Sequence, residues 1–329
     1  MTDFLLNKGY KVHGLERKKT VSNLNRLYSK VSKNHNFKNL KIHYGDLSDQ
    51  SSIIEIIFRV KPSEIYNLGA QSDVATSFLE PVYTSDVNAL GTLRILEAIR
   101  ILKLNHKVRV YQASTSELFG ENTKIPQNEN TFFQPVSPYA ISKLYSYWII
   151  KNYRKSYNFF AVNGILFNHE SPLRGEKFVT KKIVSSLIKI KLGKQKKLYL
   201  GNLYSKRDWG HAEDYVIMMW KMLQYNKPED FVISTGKQFT IKEFVNKVSK
   251  KLNMKIVWKN KGLKETGFWL KASKNYEIIK ISKKLFRPSE VNNLLGDSTK
   301  AKKLLKWQPK KNIEMLIDDM INFEIENNQ

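Results

Sequence analysis

A tyrosine and a lysine four positions apart, in the stretch SPYAISKLYSYW, have the residue types and spacing of an acid–base pair. Tyr139 and Lys143 fall one turn apart on the same face of a predicted helix. A tyrosine with an ordinary pKa of about 10 is a poor base at neutral pH, and a neighbouring ammonium favours its phenolate. The pair therefore predicts proton transfer at a hydroxyl group, and the lysine can also hold a ribose hydroxyl.

The stretch ASTSELFG places a second set of polar side chains at the end of a predicted strand. Glu117 supplies a carboxylate, so that one group can serve O–H deprotonation and the other C–H deprotonation. The hydroxyl groups of Ser114, Thr115 and Ser116 allow two interpretations. They contact a ligand, or they belong to a turn in which they satisfy backbone groups.

Alternating strands and helices must position these residues. A strand at 10–15 opens the pattern, and the remaining strands of the first half are predicted at 40–46, 64–70, 108–115 and 159–168. Helices are predicted at 49–60, about 82–104 and 138–157. This alternation predicts an α/β fold with a doubly wound parallel sheet, in which ligands bind beyond the carboxyl ends of the strands. The second half is less regular, and its polar stretch 259–284 resembles an inserted loop or hairpin.

Composition excludes several classes of protein. The chain has no cysteine, so disulfides and thiolate metal sites are impossible, and no His, Asp and Glu grouping has metal-ligand spacing. No apolar run is long enough for a membrane span, so we expect a cytoplasmic protein without a membrane partner. The net charge of +26 is compatible with a polyanion partner or with dispersed surface lysines. Because no basic stripe with interleaved aromatic residues is present, we expect no nucleic-acid partner.

Several longer motifs resemble the GDP-mannose 4,6-dehydratase family of the extended short-chain dehydrogenase/reductase superfamily. They are YQASTSELFG, SPYAISKLYSYW, GILFNHESP, LYLGN followed by RDWGHAEDY, and FRPSEV followed by LLGD. The resemblance runs from about Phe4 to the last helix. It implies a Rossmann-like cofactor domain at 1–167, which also receives about 208–240, and a smaller substrate-binding domain at 168–207 and 241–329.

The resemblance implies a hydro-lyase that converts GDP-mannose to GDP-4-keto-6-deoxymannose and water through bound NADP, in a pathway toward GDP-fucose, GDP-rhamnose or related deoxysugars. Tyr139 would take the proton of the sugar 4-hydroxyl with Lys143 beside it. Thr115 would hydrogen-bond the C4 oxygen. Glu117 would remove the C5 proton and help to expel the 6-hydroxyl. The family also implies a homo-oligomer, a dimer or tetramer.

The resemblance implies two sets of binding residues as well. For NADP, besides Tyr139 and Lys143, these are Arg17 at the 2′-phosphate, Asp46, Leu47, Leu68, Ala70, Ser72, His169 and Arg174. For GDP-mannose these are Asn168, Lys182, Arg207, Arg287 and Glu290. Lysine and arginine suit a pyrophosphate, and a glutamate accepts from guanine N–H groups or a ribose hydroxyl. The alternatives are a structural role for His169 and ordinary surface positions for the charged residues.

The sequence departs from the family pattern at its beginning. Relatives carry a strand and a glycine-rich turn, about 20–25 residues, before the position of Met1, and no glycine precedes Gly9 here. We therefore expect the first strand and the pyrophosphate cradle to be missing, which leaves two inner strands with open edges. Smaller departures are Asp73, where relatives usually have histidine, and Leu173, where they have arginine.

Three alternatives remain open besides the dehydratase. One is another nucleotide-sugar enzyme of the superfamily, an epimerase or a reductase, against which Glu117 and the motifs NHESP and RDWGHA argue. The others follow from the missing turn. The first is an active enzyme whose start codon is assigned too late or whose gene is incomplete. The second is a truncated, inactive homologue that folds by oligomerising or by partnering an intact paralogue.

Overall fold

The computed structural model of the chain describes residues 1–17, 37–286 and 289–328. The α-helices are α1 (Thr2–Asn7), α2 (Gln50–Val60), α3 (Val74–Leu79), α4 (Pro81–Ser85), α5 (Gly91–Ile101), α6 (Pro138–Tyr157), α7 (Val179–Lys191), α8 (Ala212–Gln224), α9 (Ile241–Lys251), α10 (Thr299–Leu305) and α11 (Ile313–Asn328). The strands are β1 (Val12–Glu16), β2 (Leu40–Tyr44), β3 (Glu64–Asn67), β4 (Arg109–Ala113), β5 (Phe160–Leu166), β6 (Asn168–Glu170), β7 (Leu198–Leu200), β8 (Lys206–His211), β9 (Phe231–Ile233), β10 (Gln238–Thr240), β11 (Lys255–Lys259), β12 (Thr266–Lys271) and β13 (Lys274–Ile281).

The first half of the chain forms parallel sheet, as predicted. Strands β3, β4, β5 and β9 pair in that order, all parallel, and β1 pairs with β2 in a separate parallel sheet. Among the described residues β1 has no partner besides β2, and β3 has none besides β4. Within this part of the chain both strands therefore have an open edge.

Side chains link the two parallel sheets where strand pairing does not. Tyr10 donates to Glu64 at the start of β3 over 3.4 Å, and the indole of Trp220 on α8 donates to the Tyr10 hydroxyl over 2.9 Å. Gln224 also donates to Glu64, over 2.7 Å. Leu5, Leu6 and Val12 pack in a small apolar cluster beside Tyr66 and Trp220.

The helix predicted at about 82–104 differs from the observed one. Helix α4 begins at Pro81, a π-helical turn follows at Asp86–Leu90, and α5 ends at Ile101. The segment predicted as one continuous helix therefore contains a π turn that its apolar spacing did not locate.

The second half adds two smaller sheets. Strands β10, β8 and β6 form one of them, and β11, β12, β13 and β7 form the other. The stretch 259–284, which is predicted to be an inserted loop or hairpin, contains the antiparallel pair β12 and β13. An extensive apolar cluster, which includes Ile183, Phe244 and Leu316, lies within this half. Another apolar cluster consists of residues between Leu47 and Ala161 in the first half. The domain boundaries given above remain predictions.

Local signals fix the helix that carries the tyrosine–lysine pair. Ser137 caps the start of α6 by accepting from the Ala140 amide over 3.1 Å, and Pro138 occupies the first turn. Asn158 ends the helix in the left-handed conformation, with φ 55°. No helix of the described ranges is both long and apolar enough to cross a membrane.

Candidate active site

A cavity of about 850 Å³ opens beyond the carboxyl ends of β3, β4 and β5. The parallel sheet explains this position, because the loops that follow its strands diverge at that edge. The cavity brings together residues from both halves of the chain. Of the predicted site residues it is lined by Leu68, Ala70, Ser72, Thr115, Glu117, Tyr139, Lys143, Asn168, His169, Arg174, Lys182, Arg207 and Glu290.

Lys143 lies at the base of the cavity, one helical turn after Tyr139. Its side chain is 3% exposed, and its ammonium donates to the Ala113 carbonyl at the end of β4 over 3.0 Å. Burial lowers the pKa of Lys143 to about 8. An ammonium has three N–H donors, so this anchored group can also bind a ligand hydroxyl.

Tyr139 is buried beside Thr115, which hydrogen-bonds its hydroxyl. Burial raises the pKa of Tyr139 to about 12, the nearby Glu117 charge raises it further, and the Thr115 hydrogen bond and the Arg174 charge oppose the rise. The sequence predicts that a neighbouring ammonium favours the phenolate, whereas burial makes the largest contribution to this pKa and acts in the opposite direction. Burial is a property that the spacing of the two residues does not display.

Glu117 belongs to a short 3-10 turn, Ser116–Leu118, that follows β4. Thr115 caps this turn, with its hydroxyl accepting from the Glu117 amide over 3.2 Å. The turn interpretation is thus correct for Thr115, whose hydroxyl also meets Tyr139. A carboxylate, a phenol and a hydroxyl consequently converge on one wall of the cavity.

Ser114 differs from its neighbours because its buried hydroxyl has no hydrogen-bond partner among the residues that the structure describes. The side chain is 3% exposed and lines the cavity between the strand end and Lys143. A buried hydroxyl without a partner is costly. This orphaned group fits a polar ligand, such as the ribose or carboxamide of a nicotinamide cofactor, bound against this wall.

His169 lies on β6 and has both a structural contact and a place in the cavity wall. Its Nδ1 lies 3.0 Å from the Phe167 carbonyl, and its ring stacks on Tyr215 with centroids 4.9 Å apart. Burial lowers the pKa of His169 to about 4, so the imidazole is neutral at physiological pH. A neutral ring whose Nδ1–H binds the carbonyl presents Nε2 as an acceptor.

Arg174 is held over the cavity by two contacts. Its Nε lies 3.1 Å from a carboxylate oxygen of the buried Glu170, and its guanidinium lies 3.5 Å from the Phe178 ring centroid. Thr180 donates to the same carboxylate over 2.7 Å. The cation is therefore fixed in place before any ligand arrives.

The opposite end of the cavity carries cations and one carboxylate. Arg207 on β8 is 7% exposed and donates to the Lys206 carbonyl over 2.9 Å. Burial lowers the pKa of Lys182 on α7. Glu290 accepts from the Ser205 hydroxyl over 2.9 Å. This end suits an anionic ligand with N–H or O–H donors, such as a nucleoside diphosphate.

Some predicted residues lie elsewhere. Arg17 contacts the Tyr83 hydroxyl on α4, Asp46 accepts from the Ser48 amide over 2.9 Å, and Leu47 is a core residue packed against α5. Their contact with a cofactor stays a prediction. Arg287 lies outside the described residues.

Sequence reasoning also missed residues. Asp73, noted only as a departure from the family, caps α3 by accepting from the Thr76 amide over 2.8 Å. Gly201 lines the cavity where a Cβ would lie 2.8 Å from the Leu285 carbonyl oxygen. A glycine directly after a strand is the signal that could have identified this close approach.

In the described part of the chain, no group of three or more His, Asp or Glu side chains could hold a metal ion.

Comparisons with known proteins agree with the motifs. A sequence model of the family described as GDP-mannose 4,6 dehydratase matches residues 1–320. GDP-mannose 4,6-dehydratase of Yersinia enterocolitica is 50% identical over 98% of this chain and 89% of its own length. The Homo sapiens GDP-mannose 4,6 dehydratase is 49% identical over 99% of this chain and 88% of its own length.

Solved structures at lower identity show the same fold. Pal from Bacillus thuringiensis superposes with a TM-score of 0.80 at 21% identity, covering 100% of this chain and 95% of its own. The dTDP-glucose 4,6-dehydratase from Bacillus anthracis in complex with NAD gives 0.78 at 21% identity, over 99% and 92%. The fold is thus that of the Rossmann-like extended short-chain dehydrogenase/reductase enzymes, and the chain belongs to the GDP-mannose 4,6-dehydratase family.

Proposed function

We propose that this protein is a hydro-lyase that converts GDP-mannose to GDP-4-keto-6-deoxymannose and water. The observation that carries the proposal is the convergence of Thr115, Glu117 and Tyr139 on one wall of the cavity, in a chain about half identical to GDP-mannose 4,6-dehydratases over nearly its whole length. The reaction needs one group for an O–H proton and another for a C–H proton. Tyrosine and glutamate supply those two groups.

The first role falls to Tyr139, which takes the proton of the sugar 4-hydroxyl as C4 is oxidised to a ketone. Thr115 holds the C4 oxygen and Lys143 stabilises the phenolate through its positive charge. A buried phenol with a raised pKa is a strong base once it is deprotonated, because its conjugate acid is weak. The anchoring of Lys143 to the Ala113 carbonyl keeps the cation near this site.

The second role falls to Glu117, which removes the proton from C5. That proton is acidic because the ketone at C4 stabilises the adjacent carbanion. Glu117 then gives the proton to the departing 6-hydroxyl, which leaves as water. The C5–H and C6–O bonds break and a C5–C6 double bond forms. A hydride from the cofactor would then reduce C6, and the proton taken from the 4-hydroxyl would pass to C5, so that the water lost consists of the C5 proton and the 6-hydroxyl.

The redox chemistry requires a nicotinamide cofactor, and the cavity fits one at the orphaned Ser114 hydroxyl and the Lys143 ammonium. Such a cofactor, which we assign as NADP, would accept the hydride lost from C4 and would return it to C6. A structural neighbour, RMD from Pseudomonas aeruginosa, was solved with NADPH, and another was solved with NAD. We assign the preference for the 2′-phosphate to Arg17. The residues that we expect to hold NADP are Arg17, Asp46, Leu47, Leu68, Ala70, Ser72, Tyr139, Lys143, His169 and Arg174.

The nucleotide end of the substrate meets the other half of the cavity. We assign the pyrophosphate to Lys182 and Arg207, because guanidinium and ammonium groups form charge-assisted hydrogen bonds with phosphates. Glu290 accepts from the guanine or ribose, and Asn168 binds nearer the sugar. We also assign Arg287 to this set on its place in the motif RPSE.

We further propose that the protein acts in the cytoplasm as a homo-oligomer. Helices α4 and α6 pack against each other, and each carries exposed apolar side chains: Val82 is 81% exposed, Ile141 56% and Trp148 54%. Apolar surface of this kind is typical of protein interfaces. Analytical ultracentrifugation of the chain and of its Ile141→Asp, Trp148→Asp variant tests this, with a monomeric wild type contradicting it.

The decisive experiment is turnover of GDP-mannose by the purified 329-residue chain in the presence of NADP. Mass spectrometry should detect a nucleotide sugar lighter than the substrate by one water. A product of unchanged mass would instead indicate an epimerase. No conversion under conditions where a curated relative turns over would contradict the proposed activity for this chain.

A further inference from the structure

The last helix, α11, places a carboxylate in a buried region beside the start of α7. Glu324 near the end of α11 is 7% exposed and forms an ion pair with Lys181 in the first turn of α7, which is 5% exposed. The Lys181 ammonium also lies 4.9 Å from the ring centroid of Phe323. Burying two charges costs hydration that a pair of apolar side chains would not lose. Stability alone therefore does not explain this pair.

The ammonium of Lys181 also binds the segment that connects β6 to α7. Its Nζ donates to the Pro172 carbonyl over 2.8 Å. Pro172 lies two residues before Arg174, a cation of the cavity wall that we assign to the cofactor. A lysine ammonium has three N–H donors, so Lys181 can bind the carboxylate and the carbonyl together. Glu324 thus fixes a donor that holds the backbone beside Arg174.

The two neighbours of Lys181 on α7 serve the same segment and the cavity. Thr180 donates to Glu170 over 2.7 Å, and the Nε of Arg174 lies 3.1 Å from the same carboxylate. Lys182, on the other side of Lys181, lines the cavity, and we assign it to the pyrophosphate of the substrate. Two successive residues of α7 therefore hold the segment from Glu170 to Arg174, and the third supplies a cation to the cavity.

Apolar packing and the ion pair make different contributions to the contact between α7 and α11. Apolar side chains of both helices belong to one buried cluster, among them Ile183, Leu187, Leu316 and Met320. Because apolar contacts are not directional, they hold the helices together without fixing the position of a polar group. A charge-assisted hydrogen bond requires a particular distance and angle. The Lys181–Glu324 pair consequently fixes the ammonium at one place in a contact that apolar packing already stabilises.

We propose that Glu324 is a positioning residue that acts through Lys181 on the connecting segment and the start of α7, so that Arg174 and Lys182 meet the cofactor and the nucleotide sugar in one fixed arrangement. This inference rests on the proposed dehydratase function, which supplies the ligands of the two cations. Within the described ranges the cavity wall includes neither Glu324 nor Lys181. The effect of Glu324 is therefore transmitted through the backbone at Pro172 and through the first turn of α7.

Four variants separate positioning from stability. Glu324→Gln removes the charge of the carboxylate at nearly constant size. The double apolar variant, Lys181→Met with Glu324→Leu, removes both charges and the donor to Pro172, a replacement that is often neutral or stabilising for a buried pair. Lys181→Arg keeps donors for both partners and is the conservative rescue. Asp318→Asn is the matched control, because Asp318 lies on the same helix and pairs with Lys251 at the surface over 2.7 Å.

Amide hydrogen exchange of the ligand-free chain gives a readout independent of activity. The amides of Arg174 and Phe178 donate to carbonyls within the connecting segment over 3.0 and 3.1 Å. Both should exchange at least about fivefold faster in Glu324→Gln and in the double apolar variant than in wild type, because the segment opens more often. The rescue and the control should leave the exchange unchanged. Wild-type exchange in the double apolar variant would overturn the inference, whatever the enzyme's activity.

Binding of GDP, measured by titration calorimetry, supplies the second readout. The Kd for GDP should rise about tenfold in Glu324→Gln and in the double apolar variant, because Lys182 loses its fixed place, and should stay within about threefold of wild type in the rescue and the control. The KM for GDP-mannose should rise with it, while kcat stays within about threefold. The double apolar variant should unfold at a urea concentration close to that of wild type and still bind GDP weakly. Wild-type affinity in this variant would indicate a merely structural role and overturn the inference.

If neither of these variants folds, Glu324→Asp carries the test. It keeps the charge and withdraws the carboxylate by one methylene, so the exchange of the Arg174 amide and the Kd for GDP should each rise about threefold. No change in either quantity would overturn the inference. A wild type that does not bind GDP would contradict the proposed function, while the exchange result would still decide whether Glu324 holds the segment.

Discussion

The two ends of the cavity are built differently. At the base end, Tyr139 and Lys143 are buried on one helix and are tied to strand β4 through Thr115 and the Ala113 carbonyl. At the nucleotide end, Lys182, Arg207 and Glu290 come from a helix, a short strand and an irregular segment. The base end is therefore set by elements of the main sheet, whereas the nucleotide end depends on contacts among separate segments.

This contrast indicates a division of work. Proton transfer requires donors and acceptors within about 3 Å of each other, and rigid elements provide that accuracy. Recognition of a diphosphate tolerates more variation because charge attracts over longer distances. Changes at the base end should consequently reduce kcat, and changes at the nucleotide end should raise KM.

Tyr139→Phe should have the largest effect at the base end. It removes the proton acceptor for the 4-hydroxyl while keeping the buried ring, so kcat should fall about 10³–10⁴-fold with the thermal unfolding midpoint close to wild type. Steady-state turnover of GDP-mannose by mass spectrometry measures this loss.

The control for Tyr139 is Tyr145→Phe on the same helix, where the side chain is 40% exposed. Its kcat should equal that of wild type. A kcat for Tyr139→Phe within tenfold of wild type would mean that another group accepts the proton.

Glu117→Gln should lower kcat about 10²–10³-fold, because an amide cannot take the C5 proton. With GDP-mannose deuterated at C5, release of deuterium to solvent should fall by the same factor. The exposed Glu121→Gln provides the control. Deuterium release at the wild-type rate in Glu117→Gln would exclude Glu117 as the C5 base.

Arg207→Ala tests the nucleotide end. Loss of one charge-assisted contact should raise KM for GDP-mannose about ten- to hundredfold, with kcat within about threefold of wild type. Lys206→Ala changes the exposed neighbour on the same strand and should alter neither constant by more than about twofold. A fall in kcat with unchanged KM for Arg207→Ala would contradict the division between the two ends.

The predictability of the two ends from sequence also differs. The alternation of apolar segments predicted β2 to β5 and helix α6, and a four-residue spacing placed Tyr139 and Lys143 on one face. The π turn at Asp86–Leu90 was not predicted, since the apolar spacing of this segment was interpreted as one continuous helix. Contacts such as Asn88 with Gln71 join residues 17 positions apart and depend on tertiary packing.

Chemical environment was harder to predict than position. The spacing of Tyr139 and Lys143 suggested a lowered tyrosine pKa, but both groups lie in a buried region where loss of hydration dominates. At the nucleotide end, Arg207 and Glu290 are 83 positions apart in the chain, and no local pattern joins them. Their assignment depended on motifs that resemble a family.

The smallest effect that we predict is a change in the free energy of unfolding with pH, which arises from Lys143 at the base end. Lys143 has a pKa of about 8 in the folded protein and 10.5 as its ordinary value. Between these values the unfolded chain binds more protons than the native one, so the free energy of unfolding should rise with pH. From pH 8 to 9.5 the wild type should gain roughly 1–2 kcal/mol relative to Lys143→Met, measured by urea denaturation.

The window is chosen so that the other buried groups of the site do not interfere. His169 and Asp208 have folded pKa values of about 4 and about 6 and ordinary values of 6.5 and 3.8, so both finish titrating before pH 8. Tyr139, with a folded pKa of about 12, keeps its proton in the native state while the unfolded chain loses it only as the pH approaches 10. Below pH 9.5 a difference between wild type and Lys143→Met therefore reports Lys143. Parallel stability curves would mean that its ammonium is hydrated in solution, and the base end would then be no more enclosed than the nucleotide end.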